Sequence, residues 1–538
     1  MVNVDSFCAR PRWRFAVLLL LVAGCANRDG LSFPDKSPPP FSDSGQIIPP
    51  DRWWTSFGND ELDRHINQAF SGSYTLAAAL NRLRAARALA RREASDLWPD
   101  VDGVADVGGA FGPGSDRGSY NWGLDASYQV DLWGQIQSRV QAERLRADAT
   151  YADYHAIALA LSAEMTRIWF ALIESHAQLA LLDEQIETNR TGAMLQESRF
   201  ALGQIRSADV LRQRQLVEST LEQAVVVKAQ IEVLEHQLAV LLGQPPQEAR
   251  YVTGAQLPDL PPLPAVGVPS ELLHRRPDVR SDYLAFVAAD RDLASAITAQ
   301  YPRISLTGSV LNLADRPETL FRDWFVSVGA QLIGPLIDGG QRRAEVDRTK
   351  AVVRQRYNEY GETMLNAFRE VEDNLALERY QIERLGHLEK QVQLARQASE
   401  QLREQYLIGD TDYLNVLSAI TAQQRLQRDL LSARLELLLI RVNLYLALAG
   451  DFDPCQQGFI GFQAIPSLLE QPVSESENGS MGSDEPDDAA VIAENPPEGE
   501  LDRANDLDPA NELNPAMELD PARDPPGRPE SDAASKLE

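Results

Sequence analysis

Two stretches of this chain, residues 136–199 and 342–404, carry helical patterning without a break for more than sixty residues each. In the first, Ile157, Leu161, Met165, Ile168, Leu172, Leu179, Leu182 and Ile186 recur at steps of three, four or seven. That period places apolar groups on one side of a helix. At ~1.5 Å per residue such a helix is roughly 95 Å long, far beyond the few turns usual in a globular domain. A narrow stripe of that length needs other long helices beside it, as in coiled coils.

The unit that holds the stripe is written twice. Ala85-Ala86 and Trp98-Pro99 recur as Ala288-Ala289 and Tyr301-Pro302 at an offset of 203. Gly134-Gln135, Gly203 and Asp209-Val210-Leu211 recur as Gly340-Gln341, Gly409 and Asn415-Val416-Leu417 at an offset of 206. Identity between the copies is low, but the punctuation recurs in order, which is the signature of an internal repeat. Each copy reads as a helical segment (60–97; 270–299), an aromatic-Pro breaker and two strand-like stretches. The long helix follows, then a Gly-centred turn and a returning helix (208–242; 412–449).

The strand-like stretches alternate strictly. Trp122, Leu124, Ala126, Tyr128 and Val130 share one parity, as do Trp324, Val326, Val328, Ala330 and Leu332, and Ile304, Leu306, Gly308 and Val310. The stretch 101–111 is weaker, with Val101, Gly103, Ala105, Val107 and Phe111 in phase. Alternation over about ten residues with aromatics near the ends fits a membrane barrel, lipid outside and water inside. A half-buried soluble sheet gives the same alternation. Four strands cannot close a barrel, and open edges are not tolerated in lipid. If these strands span a membrane, other copies of the chain complete them, and three copies supply twelve strands.

The N-terminus sets an address. Arg10-Pro11-Arg12-Trp13-Arg14 precedes an apolar run from Phe15 to Ala23, too short to span a bilayer but suited to a secretory signal. It ends in Val22-Ala23-Gly24-Cys25, small residues before a cysteine that resemble a bacterial lipobox. Cys25 is therefore the expected acylation (palmitate) site, and Pro34 to Pro50 reads as an extended spacer. Ala26 rather than Asp follows the cysteine, which by the same resemblance directs the lipoprotein to the outer membrane. Cys8 goes with the signal, so Cys455 is left without a disulfide partner.

Charge is uneven and exclusionary. The formal net charge is −28, of which 20 acidic against 4 basic residues between Pro466 and Glu538 supply −16. A nucleic-acid partner needs clustered Lys and Arg instead. The tail repeats Glu/Asp-Leu-Asp/Asn-Pro/Arg-Ala units over 500–523 and is poor in large apolar groups, so it is expected to be disordered and dispensable. Closely spaced carboxylates leave weak binding of divalent cations or a basic partner as the alternative. Six scattered histidines show no zinc spacing, and no polar constellation suggests catalysis, a metal or a cofactor. The expected division is signal 1–24, lipidated spacer 25–52, first repeat 53–265, second repeat 266–465 and acidic tail 466–538.

Three motifs complete the pattern: Trp53-Trp54-x-x-Phe57-x-x-Asp60-x-Leu62, Leu272-Leu273-His274-Arg275-Arg276-Pro277-Asp278-Val279-Arg280 and Asp338-Gly339-Gly340-Gln341. With the lipobox they make the chain resemble the TolC-like outer-membrane efflux proteins, in the lipoprotein branch that serves resistance-nodulation-division pumps. The resemblance runs from residue 10 to about 460. It implies a homotrimer whose twelve-stranded transmembrane β-barrel, four strands per chain, continues into a periplasmic barrel of twelve helices with a mixed equatorial girdle. It implies a passive exit duct rather than an enzyme, with a periplasmic adaptor, an inner-membrane pump and outer-membrane lipid as partners. Arg275-Arg276-Pro277-Asp278 has the look of an anion site, but Pro277 makes a helix boundary the simpler reading.

The resemblance also implies site residues. Leu202, Gly203, Gln204, Ile408, Gly409 and Asp410 sit at the tips where the adaptor docks, with Ser207 and Thr411 placed to cap the returning helices. Asp209 and Tyr406 lie where the two copies are tied in the closed gate, a carboxylate facing a phenol. Relatives carry aspartates at the positions of Asn415 and Ser418; here only Asp412, one turn earlier, is available for an acidic ring. The duct of a type I protein secretion system and a non-spanning periplasmic tether are the competing readings, and a periplasmic enzyme is a third. The lipobox and the Arg-Arg-Pro-Asp stretch favour the efflux duct over the secretion duct, the tether leaves the paired strands unexplained, and the enzyme lacks a polar constellation.

Overall fold

The computed structural model describes residues 39–48, 50–110, 117–248, 250–251 and 256–448. The signal sequence, Cys8, the acylation site Cys25, Cys455 and the acidic tail therefore lie outside the described residues. The first copy contains α1 (Asp60–Gly72), α2 (Tyr74–Ser95), β1 (Asp100–Ala110), β2 (Arg117–Val130), α3 (Gln135–Ala201) and α4 (Ser207–Leu241). The second contains α5 (Pro269–Arg275), α6 (Pro277–Thr298), β3 (Arg303–Ala314), β4 (Trp324–Ile333), α7 (Gln341–Ile408) and α8 (Tyr413–Leu448). The helices α3 and α7, of 67 and 68 residues, are about 100 Å long. Among the described residues only α3 is long and apolar enough to cross a membrane, yet most of its apolar stretch is buried by neighbouring helices.

Strand passes into long helix by the same device in both copies. Gly134 and Gly340 take positive φ angles of 72° and 87° immediately before the helix, a conformation glycine adopts at least cost. An aspartate then accepts from an exposed amide of the first turn: Asp131 from Gln137 N (2.8 Å), Asp338 from Arg342 N (3.3 Å). This is the role of the Asp-Gly-Gly-Gln motif.

The helical segments expected over 60–97 and 270–299 are each broken in two. Ser73 is extended, with φ −69° and ψ 122°. The break lets Gly72 press on the end of α4, where an added Cβ would lie 2.6 Å from the Leu242 carbonyl oxygen. In the second copy Pro277 forces the break, because it blocks continuation but suits a first helical turn.

The four strands form one antiparallel sheet in the order β1-β2-β3-β4, open at β1 and β4. Its register puts Val101, Ala105 and Val107 opposite Ala126, Trp122 and Tyr120. Leu124 meets Val310, and Val310 in turn meets Val326. All the apolar parities thus fall on one face, and Val328 on that face is 88% exposed. The other face carries Asp102 directly opposite Asp125, a Ser309–Ser327 hydrogen bond of 2.7 Å, and apolar groups (Leu311, Leu313, Phe325) toward the β3–β4 connection. Like charges placed opposite each other destabilise a sheet unless water screens them.

Below the sheet, the Trp53-Trp54-x-x-Phe57 turn plugs the helical body. Trp53 stacks on Tyr445 of α8 at 5.6 Å and donates to Ser162 of α3 at 3.2 Å. Asn59 caps α1 by accepting from Glu61 N and Leu62 N. The Arg276 guanidinium is buried and fully engaged by Asp278 (2.6 and 3.0 Å), Glu370 (2.7 Å) and the Ala447 carbonyl. Burial pushes the Asp278 carboxyl up, but the hydrogen bonds and charge of Arg276 prevail and hold it below its ordinary range. The motif is a clasp between helices at a helix boundary.

Two further ties cross the molecule. Arg441 of α8, 1% exposed, pairs bidentately with Glu378 of α7 at 2.6 and 2.8 Å. It also donates to the carbonyls of Pro261 and Pro262 in the segment joining the copies. Residues 41–48 strap across the same segment: Gly45 N donates to Pro264 O (3.0 Å), Ala265 N to Ile47 O (2.7 Å), and Ser42 N to Glu372 (2.9 Å). A Cβ on Gly45 would lie 1.7 Å from the Leu263 carbonyl oxygen, so no other residue fits there.

Candidate functional site

The helix pairs α3–α4 and α7–α8 end in two turns built alike. Gly203 and Gly409 take φ angles of 71° and 83°. Gln204 N reaches back to Arg199 O and Asp410 N to Gln405 O, both at 2.9 Å, the closure that ends a helix at a left-handed glycine. The turns leave Leu202 and Ile408 72% and 81% exposed. The expected caps differ. Ser207 already lies inside α4, whose N-cap is Arg206 without a side-chain bond; Thr411 accepts from the Asn415 amide at 3.0 Å.

Just behind the tips the two copies are tied by hydrogen bonds. Tyr406 of α7 donates to Gln196 of α3 at 3.2 Å and lies under the Arg199 guanidinium, 4.9 Å from its ring. The expected carboxylate partner is elsewhere: Asp209 pairs with Arg212 of its own helix at 3.3 Å. Helical geometry explains this, since a residue three positions on is within reach at no ordering cost between helices. Tyr413, which sequence reasoning passed over, stacks beside Tyr406 at 5.2 Å and donates to Gln213 of α4. Asp412, just before α8, and Asn415 and Ser418 in its first turns are all exposed.

From there a seam of buried polar groups runs along α3 against α8. Asn189 exchanges hydrogen bonds with Gln424 (3.0 and 3.3 Å) and reaches Thr220 (3.0 Å). Gln185 accepts from Arg428 (2.6 Å), and Gln178 binds Glu174 (2.9 Å) and the Arg428 carbonyl (2.9 Å). Gln178, Gln185, Asn189 and Gln196 recur at steps of four and seven, so they occupy core positions of a coiled coil. Buried amides fix which helix face meets which, while keeping partners that can be exchanged. Among the described residues no group of His, Cys, Asp and Glu could hold a metal ion.

Burial pushes the Tyr413 hydroxyl from 10.0 up to about 12, and the neighbouring Tyr406 and Asp209 add to the rise. A folded pKa above the unfolded one contributes stability that is complete below pH 10.0 and lost as pH rises through about 12. Between pH 9 and 11.5 the expected loss is at most about 2 kcal/mol, less what solvent screening removes. Chemical denaturation at pH 9 and 11.5 should show this alkaline loss in the native chain and a smaller one in Tyr413→Phe.

A tall helical body, an open sheet with one apolar face, and two matched tips have close relatives among known proteins. The family model of the outer membrane efflux protein matches residues 65–244 and 268–450. The pyoverdine export outer membrane protein OpmQ of Pseudomonas aeruginosa is 28% identical over 428 residues, covering 76% of this chain and 89% of its own. The cation efflux system protein CusC of Escherichia coli O6:H1 is 25% identical over 410 residues, 74% of this chain and 88% of its own. The solved outer-membrane channel OprN superposes with a TM-score of 0.73 at 28% identity, covering 79% of this chain and 98% of OprN. The matched residues take in both copies of the repeat, and the chain belongs to the outer membrane efflux protein family.

Proposed function

We propose that three copies of this chain close one exit duct of a tripartite efflux pump. The observation that carries the assembly is the open sheet, apolar along one face except at Asn312 and unpaired at β1 and β4. Three such sheets joined edge to edge make a twelve-stranded barrel with lipid outside and the Asp102–Asp125 face toward water. The helices α3, α4, α7 and α8 of each copy continue it as a periplasmic tunnel of twelve helices. Leu202, Gly203, Gln204, Ile408, Gly409 and Asp410 meet the adaptor that links the duct to an inner-membrane pump. Tyr406 and Asp209, with Asp412, Asn415 and Ser418 on the adjoining helix, form the gate. The duct is a passive conduit and not an enzyme. Acylation of Cys25 anchors its N-terminus in the outer membrane.

Relatives of similar identity export pyoverdine and cations, chemically unrelated cargoes. This supports a duct that accepts what the pump delivers. The exposed apolar sheet face speaks against a tether that never enters the membrane.

Two measurements test the reading. Proteoliposomes should conduct ions, and cysteines placed at Gln204 and Asp410 should crosslink to the adaptor; a silent bilayer, or crosslinks only near residues 120 or 320, would sink it. Cys25→Ser should abolish lipid labelling, and an unmodified mature N-terminus elsewhere would refute the anchor.

A further inference from the structure

The connection between β3 and β4, residues 315–323, does not project away from the sheet. It folds back over the apolar face. Asn312, on that face and 0% exposed, donates to the Asp323 carbonyl at 3.0 Å and accepts from Phe321 N at 3.2 Å. Leu313 N adds a bond to the same Asp323 carbonyl at 3.3 Å. Phe321 is thereby held at a φ of 73°, a left-handed conformation that is a genuine outlier for a bulky residue. Such strain persists only where the surroundings over-determine it. The ring reaches across β3 to Trp122 of β2 at 5.1 Å, and Trp122 touches Trp324 at 4.9 Å. Phe321 nevertheless remains 67% exposed, so the strain buys little burial within the chain.

A second aromatic group marks the opposite end of the strands. Trp133 stacks near Tyr301 at 5.1 Å and donates to the Pro302 carbonyl at 2.7 Å. Ten residues of strand separate Pro302 from Asn312, about 34 Å along the strand. Tilted as barrel strands are, that is about 25 Å across the membrane, the height of a barrel's apolar band.

We propose that the β3–β4 connection is a lipid-facing anchor: clamped by Asn312 to the outward face of the sheet, it presents Phe321 to the acyl chains beneath the outer headgroups. The proposal rests on the reading that the four strands span the membrane, and it is continuous with the apolar face that this reading turns toward lipid. An amide on a lipid-facing surface costs several kcal/mol if unsatisfied; here both ends of Asn312 are taken by the connection's backbone, so clamp and loop require each other. Because the clamp acts through backbone groups, the side chain at 321 can be replaced without releasing the loop.

The test places a fluorophore on Phe321→Cys, Glu318→Cys and Val328→Cys in a full-length Cys455→Ser background, with the background alone as control. The protein is reconstituted in phosphatidylcholine vesicles with dibrominated lipid as one quencher and aqueous iodide as the other. The anchor requires strong lipid quenching at 321, weak lipid quenching at 318, and several-fold loss at 321 when Asn312→Leu is added. Iodide quenching at 321 equal to that at 318, with 328 still quenched by lipid, overturns the anchor alone. Absence of lipid quenching at 328 overturns the membrane reading and the anchor with it.

Discussion

Arg441→Ala should cost the folded body about 3–5 kcal/mol, because it leaves the Glu378 carboxylate buried without its cation. The loss falls on more than a pair. Pro261 and Pro262 lose the donor to their carbonyls, and a buried carbonyl left without one is costly. The helix pair α7–α8 then loses its hold on the segment that joins the copies. Arg441→Lys should recover only part of the stability, since an ammonium cannot match a bidentate carboxylate and two carbonyls at once. Arg441→Met with Glu378→Leu should recover more than either single change, as apolar replacement of a buried pair is often near neutral. Denaturant unfolding of the purified chain gives the order. Equal stability in Arg441→Ala and the native protein would mean that the pair does not hold the body together.

Tyr406→Phe should open the duct. It deprives Gln196, buried on α3, of a hydrogen-bond donor, at a cost of about 1–3 kcal/mol to the closed arrangement. Each 1.4 kcal/mol is about tenfold in the equilibrium between closed and open. Single-channel recordings should therefore show a higher open probability or conductance. Tyr413→Phe should act in the same direction through Gln213, and the two changes should not add, because the rings touch. Asp209→Ala should give the smaller rise, since its nearest partner is on its own helix. Conductance unchanged in Tyr406→Phe, Tyr413→Phe and Asp209→Ala would place the constriction elsewhere.

How much of this was legible in the sequence depended on which residues advertise their surroundings. Glycines did: Gly134, Gly203, Gly340 and Gly409 mark the four helix ends because left-handed backbone leaves few substitutes. Apolar alternation did also, and all four strands appeared with one shared face. The break at Ser73 went unread because the contact it permits, Gly72 against Leu242, is made 170 residues away in the chain. The seam went unread for a different reason. Gln178, Gln185, Asn189 and Gln196 look like a solvated helix face, and only their spacing of four and seven hints at burial. The Asp209–Tyr406 pairing came from resemblance; the hydrogen bonds in this region run from Tyr406 to Gln196 and from Tyr413 to Gln213.

The strap at residues 41–48 imposes an order in time. Ser42 binds Glu372 and Gly45 binds Pro264, so residues made first take partners made 330 and 219 positions later. During synthesis and export the N-terminal segment has no place to settle until both copies of the repeat have followed it. Under the proposed acylation, that delay coincides with the interval in which Cys25, sixteen residues upstream of Phe41, would have to be reached by modifying enzymes. The fold thus postpones docking of the very segment whose early accessibility an acyl anchor would require, and Gly45, which closes the strap, acts at the end of biogenesis rather than its start.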